Sequence, residues 1–242
     1  MASKQYTLYD LPSKAPCSTW SPNPWKTRLL FNLKGLDYRT EWVEYPDIKP
    51  TLENKVPANT EGVAYSIPTI ESPDGTCVMD SRKIADYIEK EHPQPSMHLD
   101  SSYLPKVEEL WSAYMRAICP IFLAWVPRDI LNDASLEFWY TTREKFFGMP
   151  VDQLEKTKGG VLAWNEAEPA LRGATALLKE NQGPFFLGET VSYADLVWAS
   201  VLIFSKRLGP GFFEEALKRS GDAQVHLDLL EALRPVSERD GY

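Results

Sequence analysis

An α/β unit followed by an all-helical one accounts for the order of residue patterns along this 242-residue chain, and three observations carry that reading. Short strand-like runs alternate with helical periodicity as far as residue 91; a proline-broken segment, residues 92–98 (HPQPSMH), follows; beyond it strand signals nearly vanish. The expected order is βαβ, then ββα, then helices alone, with domains at 1–96 and 97–242. At the usual ~100–200 residues per domain the length suits one large domain or two modest ones, and 43% hydrophobic with 25% charged residues is the balance of a globular chain.

Residues 6–9 (YTLY) alternate β-branched and aromatic side chains, which predicts a strand ending in the loop of Pro12, Ser13 and Pro16. Ser21-Pro22 then supplies an N-cap with proline at the first helical position, and Trp25, Leu29 and Leu33 recur every four residues until Gly35. Residues 37–44 (DYRTEWVE) form a second strand, returning parallel to the first through a right-handed crossover. Residues 45–64, broken by Pro46, Pro50, Pro57 and Gly62, read as a long irregular connection of the kind that is usually functional. Residues 66–70 and 76–79 flank Pro73-Asp74-Gly75 as a hairpin, and Ser81 opens a helix that buries Ile84, Ala85 and Ile88. Past the boundary, helices are expected at 107–117, 136–147, 162–179 and 192–208, with a weaker pair near the end.

The formal charge of -8, with no dense basic block, argues against a nucleic-acid or anionic-membrane partner. Apolar runs such as 118–126, interrupted by Pro120, fall short of the ~18 residues of a membrane span. The start MASKQYTLYDLPSK lacks the apolar stretch of a secretory signal, so the cytoplasm is the expected compartment. Three cysteines without CxxC spacing and three scattered histidines suggest neither a disulfide framework nor a metal site.

Two constellations carry chemistry. The first is Ser21-Pro22-Asn23-Pro24-Trp25-Lys26, at the mouth of the first helix. Free N–H groups and the helix dipole stabilise negative charge there, a thiolate included, and a serine hydroxyl can donate to a ligand's sulfur. The second is Ile67-Pro68 with Asp80-Ser81. A proline in a strand marks an edge or a cis turn that presents the main chain of Ser66 and Ile67 to an extended peptide. Asp80 can accept from an ammonium group, and Ser81 with its helix amides can hold a carboxylate, so the pair suits an amino-acid end. Taken singly, each also reads as plain helix capping.

The N-terminal strand, the Ser-Pro-x-x-Trp-Lys-x-Arg helix start, Ile67-Pro68, Asp80-Ser81 and the helical second half together resemble the glutathione transferases over nearly the whole chain. Through residues 6–11 (YTLYDL), their spacing to Ser21-Pro22 and the long loop before Ile67, the chain looks most like the fungal ether-cleaving-like class, FuA, related to bacterial β-etherases. The resemblance implies a thioredoxin-like first domain that binds glutathione as co-substrate, an all-helical acceptor-binding domain, and a homodimer. It makes Ser21 the catalytic position and places Trp25, Ser66, Ile67, Pro68, Asp80 and Ser81 at the glutathione site. It assigns Phe186-Leu187-Gly188-Glu189 and Ser192-Tyr193-Ala194-Asp195 to a buried capping box, in which Asp195 serves folding.

The loop also holds Cys17, Ser18 and Thr19, so the sulfur-contacting register stays open between Cys17 and Ser21, as does the choice of Lys49 or Lys55 for the glycine carboxylate. A cysteine at that position would form mixed disulfides, whereas serine steadies the thiolate for addition or peroxide reduction. The expected activity is serine-type transfer of glutathione to small hydrophobic electrophiles or hydroperoxides. The alternatives are a ligandin-like carrier of aromatic metabolites, a β-etherase, or a cysteine-type thioltransferase. Trp111, Tyr114, Phe122 and Trp125 read as core; Trp139, Tyr140, Phe146 and Phe147 follow, and 12% aromatic content suits a pocket for flat molecules.

Overall fold

A computed structural model describes residues 5–240; the outer ends of the two expected domains, residues 1–4 and 241–242, lie outside them. Strand β1 (Tyr6–Asp10) is buried throughout and is followed by α1 (Pro22–Leu33) and β2 (Tyr38–Trp42). A 3₁₀ turn (Tyr45–Asp47) and the short α2 (Ile48–Leu52) come next, then β3 (Thr69–Glu71), β4 (Cys77–Met79) and α3 (Ser81–Glu91). The sheet order is β2-β1-β3-β4. Tyr6 pairs with Tyr38 in the parallel ladder, while Leu8 faces Ile70 across an antiparallel one.

One ion pair fixes how α1 sits on this sheet. Arg28, two turns into the helix, donates through Nη2 to Asp10 Oδ2 at 2.8 Å and to Thr40 Oγ1 at 3.0 Å, and the Arg28 and Asp10 side chains are both 0% exposed. Asp10 Oδ1 accepts from the Leu11 N–H at 2.7 Å. The end of β1 and the start of α1, which carry Leu11 and Ser21, are thereby held in one rigid frame.

The helical part comprises α4 (Tyr103–Asp129), α5 (Asp133–Phe147), α6 (Val151–Lys158), α7 (Gly160–Leu178), α8 (Tyr193–Arg207), α9 (Pro210–Ser220), α10 (Ala223–Ala232) and α11 (Arg234–Ser237). The expected break at Pro120 does not occur. Helix α4 runs through both Pro120 and Pro127 for 27 residues, because packing against α6, α7 and α8 outweighs the loss of a backbone bond at each proline. It is thus long and apolar enough to cross a membrane by length and composition, contrary to the reading of short interrupted runs, yet it lies at the centre of the helical domain.

The capping box at α8 is present: Asp195 accepts from the Phe186 N–H (2.8 Å), the Ser192 N–H and the Ser192 hydroxyl (both 2.7 Å). Burial pushes the Asp195 carboxyl up to about 6, and its oxygens are taken up by these bonds. Helix α8 also joins the two halves of the molecule, for Tyr193 donates its hydroxyl to the Ser81 carbonyl at 2.9 Å.

Candidate active site

Ser21 sits at the N-cap of α1 with an extended backbone (φ −73°, ψ 137°), and its side chain makes no capping bond. Proline occupies the first and third helical positions, and the Trp25 N–H is already bonded to the Ser21 carbonyl at 3.2 Å. Asn23 is therefore the residue of the first turn whose N–H is neither removed by proline nor engaged within the helix. The expectation of several free amides narrows to one, and the Ser21 hydroxyl stands beside it.

Ser21 is only 8% exposed and lines a cavity of about 500 Å³ between the sheet domain and α5. Ser66 and Ile67 line its near wall. The Ile67–Pro68 peptide is cis. Because β3 begins only at Thr69, neither the Ile67 N–H nor its carbonyl is bonded to another backbone group among the described residues. Both are available to an extended peptide. Cys17 is exposed and is not among the residues that line the cavity.

A second cavity, of about 290 Å³, adjoins the first through Asn23, which lines both. Asp80, Ser81, Lys26, Glu108 and Trp111 surround it. Asp80 caps α3, its Oδ1 accepting from the Arg82 N–H (2.9 Å) and the Lys83 N–H (3.3 Å). It does so at φ 88°, a strained conformation for a non-glycine residue. Lys26, named in the helix-mouth motif but given no role from sequence, is placed here: its Nζ lies 3.5 Å from the centre of the Trp111 ring and donates to Asn23 Oδ1 at 3.0 Å. Burial pushes this ammonium down to about 7, against the raising fields of Glu108 and Asp80. A buried cation beside acidic and hydroxyl groups suits both ends of an amino acid.

The structure thus brings together Ser21, Ser66 and Ile67 in one cavity and Asp80 and Ser81 in its neighbour, but not Trp25. That indole is buried on another side of α1, facing a groove lined by Lys206, Arg207 and Leu227. Lys49 lines the first cavity. Lys55 turns away, 2.8 Å from Glu71. The far wall belongs to α5: Phe138, Thr142, Arg143, Phe146 and Phe147 recur at helical spacing along one face. Of the aromatics named from sequence, Phe146 and Phe147 reach this wall, whereas Trp139 is core, donating to the Leu123 carbonyl at 2.9 Å. Trp125 and Phe122 pack on Phe212 and Phe204, as core aromatics should.

Comparison with known proteins decides the family. The glutathione S-transferase N-terminal domain matches residues 20–91 and the C-terminal domain residues 107–216. A curated relative, the glutathione S-transferase-like protein ustS of Aspergillus flavus, is 30% identical over 87% of this chain and 83% of its own length. The chain belongs to the glutathione S-transferase family. Among solved structures, a glutathione S-transferase of Ceriporiopsis subvermispora in complex with glutathione superposes with a TM-score of 0.84 at 30% identity, covering 96% of this chain and 98% of that one. The FuA-class transferase GSTFuA3 of Phanerochaete chrysosporium reaches the same TM-score at 28% identity, covering 96% and 97%. In this transferase the sheet domain carries Ser21, and the helical domain carries the α5 wall opposite it.

Proposed function

We propose that this transferase binds glutathione across the two adjoining cavities and holds its sulfur as a thiolate at Ser21. The observation that carries the reading is the uncommitted Ser21 hydroxyl, at a helix N-terminus and facing an apolar cavity. In this arrangement the cysteinyl main chain of glutathione pairs with Ile67, and Ser66 lies alongside. The γ-glutamyl end reaches Asp80, Ser81 and Lys26, and Lys49 meets the glycine carboxylate. The resemblance to a structure solved with glutathione supports this placement. Pro68 shapes the turn through its cis bond, and Trp25 supports α1 from below without touching the ligand.

Thiolate stabilisation here needs few parts. Lowering a thiol pKa by ~2 units is worth ~2.7 kcal/mol, within reach of a charge-assisted hydrogen bond from Ser21, the Asn23 amide and the helix dipole together. The thiolate then attacks an electrophile lying on the aromatic face of α5, and Ser21 never ionises. The exposed position of Cys17 favours this serine-type reading over a thioltransferase. Kinetics of Ser21→Ala with glutathione and 1-chloro-2,4-dinitrobenzene test it: kcat/KM is expected to fall ~10–100-fold, the loss of one hydrogen bond to a charged group, and unchanged turnover would refute it. A domain boundary at 96/97, a homodimer and a cytoplasmic location complete the proposal; light scattering tests the dimer.

A further inference from the structure

The acceptor cavity carries its own charge pattern. In a chain of net charge -8, the charged residues that line this cavity are Lys49 and Arg143, with no aspartate or glutamate among them. Lys49 stands on α2, on the sheet-domain side, with Glu53 4.0 Å away. Arg143 stands on the opposite wall, on the same face of α5 as Phe138 and Phe146.

Arg143 is held by neutral groups. Its guanidinium lies 3.9 Å from the centre of the Trp139 ring and 4.9 Å from that of Tyr45, and Nη1 donates to Thr142 Oγ1 at 2.8 Å. Burial pushes the Tyr45 phenol up to about 12 and the Cys119 thiol up to about 11, so neither neutralises it near neutral pH. Burial is also what lowers Arg143 itself, with Tyr45 and Cys119 acting against it, and among the described residues no carboxylate forms an ion pair with it. A half-buried cation with no counter-charge among the described residues is unfavourable. Two ring faces recover part of that and fix the guanidinium plane, while a five-donor fork that gives Nη1 to Thr142 keeps further donors for a ligand.

Building on the transferase reading above, we propose that Arg143 selects the acceptor: the cavity takes flat aromatic electrophiles bearing a carboxylate, with the carboxylate on the guanidinium and the ring against Phe138 and Phe146. A planar carboxylate matches the guanidinium fork in a way that a neutral amide or nitro group does not. The aromatic body is held by the same α5 face that presents the cation.

A matched pair of substrates tests this. With 4-chloro-3-nitrobenzoate or 4-chloro-3-nitrobenzamide, the glutathione thiolate forms a C–S bond at the carbon bearing chlorine. The C–Cl pair leaves with chloride, and the thiol proton passes to solvent. With each kcat/KM divided by the uncatalysed rate, the wild type is expected to favour the benzoate about tenfold, as a charge-assisted bidentate contact allows. Arg143→Gln should erase that preference, and Arg143→Lys should restore part of it. Equal losses on both substrates, or no wild-type preference, would overturn the proposal. Tryptophan-fluorescence titrations with 3-nitrobenzoate and 3-nitrobenzamide, in the presence of S-methylglutathione, separate the two claims. An Arg143-dependent preference in binding without turnover of either chloro compound would sustain the anion site and sink the transferase reading. Turnover without preference would do the reverse, and absence of both would overturn both.

Discussion

Replacing Arg28 with methionine is the most severe test of how the site is built. The guanidinium Nη2 and Asp10 Oδ2 are 2.8 Å apart with both side chains at 0% exposure, and burial already lifts the Asp10 carboxyl above its usual range against the lowering field of Arg28. Without that field, Asp10 keeps neutral groups, Thr19 and the Leu11 N–H at 2.7 Å, to offset its desolvation. Breaking one side of such a pair costs about 3–5 kcal/mol, a large part of the ~5–15 kcal/mol that a domain possesses. In urea, with m of ~2–3 kcal/mol/M for a chain of this size, the unfolding midpoint should fall by about 1–2.5 M. Replacing both partners, Arg28→Met with Asp10→Leu, should recover part of the loss, since no orphaned charge remains. A midpoint shift below ~0.3 M for Arg28→Met would refute the claim that this pair fastens α1, and with it Ser21, to β1.

Two further expectations follow from buried titratable groups. His226 is lowered from 6.5 to about 4 by burial; its Nδ1 accepts from Trp198 Nε1 at 3.0 Å, so its Nε2–H faces Thr175 Oγ1 at 2.8 Å. The unfolded chain takes up this proton first, so stability is full above pH 6.5 and declines as pH falls towards 4, by about 3 kcal/mol; His226→Asn should be less stable at pH 7 but lose this part of the slope in urea titrations, and parallel profiles would count against it. Lys26, pushed down to about 7, should lose its charge as pH rises through that value, so calorimetric affinity for S-methylglutathione, which has no thiol to titrate, should weaken above pH 7 in the wild type and stay flat in Lys26→Met. An identical pH profile in both proteins would remove Lys26 from the site.

Much of this arrangement was legible in the residues because it depends on local rules. Ser21-Pro22 and the four-residue recurrence of Trp25, Leu29 and Leu33 mark α1, observed at Pro22–Leu33, since capping and proline placement act within one turn. The strand Tyr6–Asp10 and the hairpin at Pro73-Asp74-Gly75 were readable for the same reason. Helix α4 was misjudged at Pro120 because its continuity is set by tertiary packing, which no local window contains. The 3₁₀ turn and α2 were hidden by Pro46 and Pro50, which fit first turns as readily as loops.

The site divides along the same line. Residues contiguous with the helix mouth and with the cis-proline turn are brought to the cavities, whereas Trp25, on the neighbouring face of the helix, faces another groove. The roles of Lys26, named only as part of the helix-mouth motif, and of Arg143 were not legible because a basic residue's role depends on what lies opposite it. Lys26 meets Trp111 and Arg143 meets Tyr45 only after the two halves of the chain are docked. The helical spacing of Phe138, Thr142, Arg143, Phe146 and Phe147 was the available signal for the α5 wall of the cavity.

Ultraviolet difference titration of bound glutathione, in the wild type and in Ser21→Ala, tests the central claim most directly. The wild-type complex should develop thiolate absorbance with a midpoint ~2 units below that of the free tripeptide, and the variant should bind glutathione yet shift most of the way back. A wild-type midpoint equal to that of free glutathione, or one that Ser21→Ala leaves in place, would contradict it.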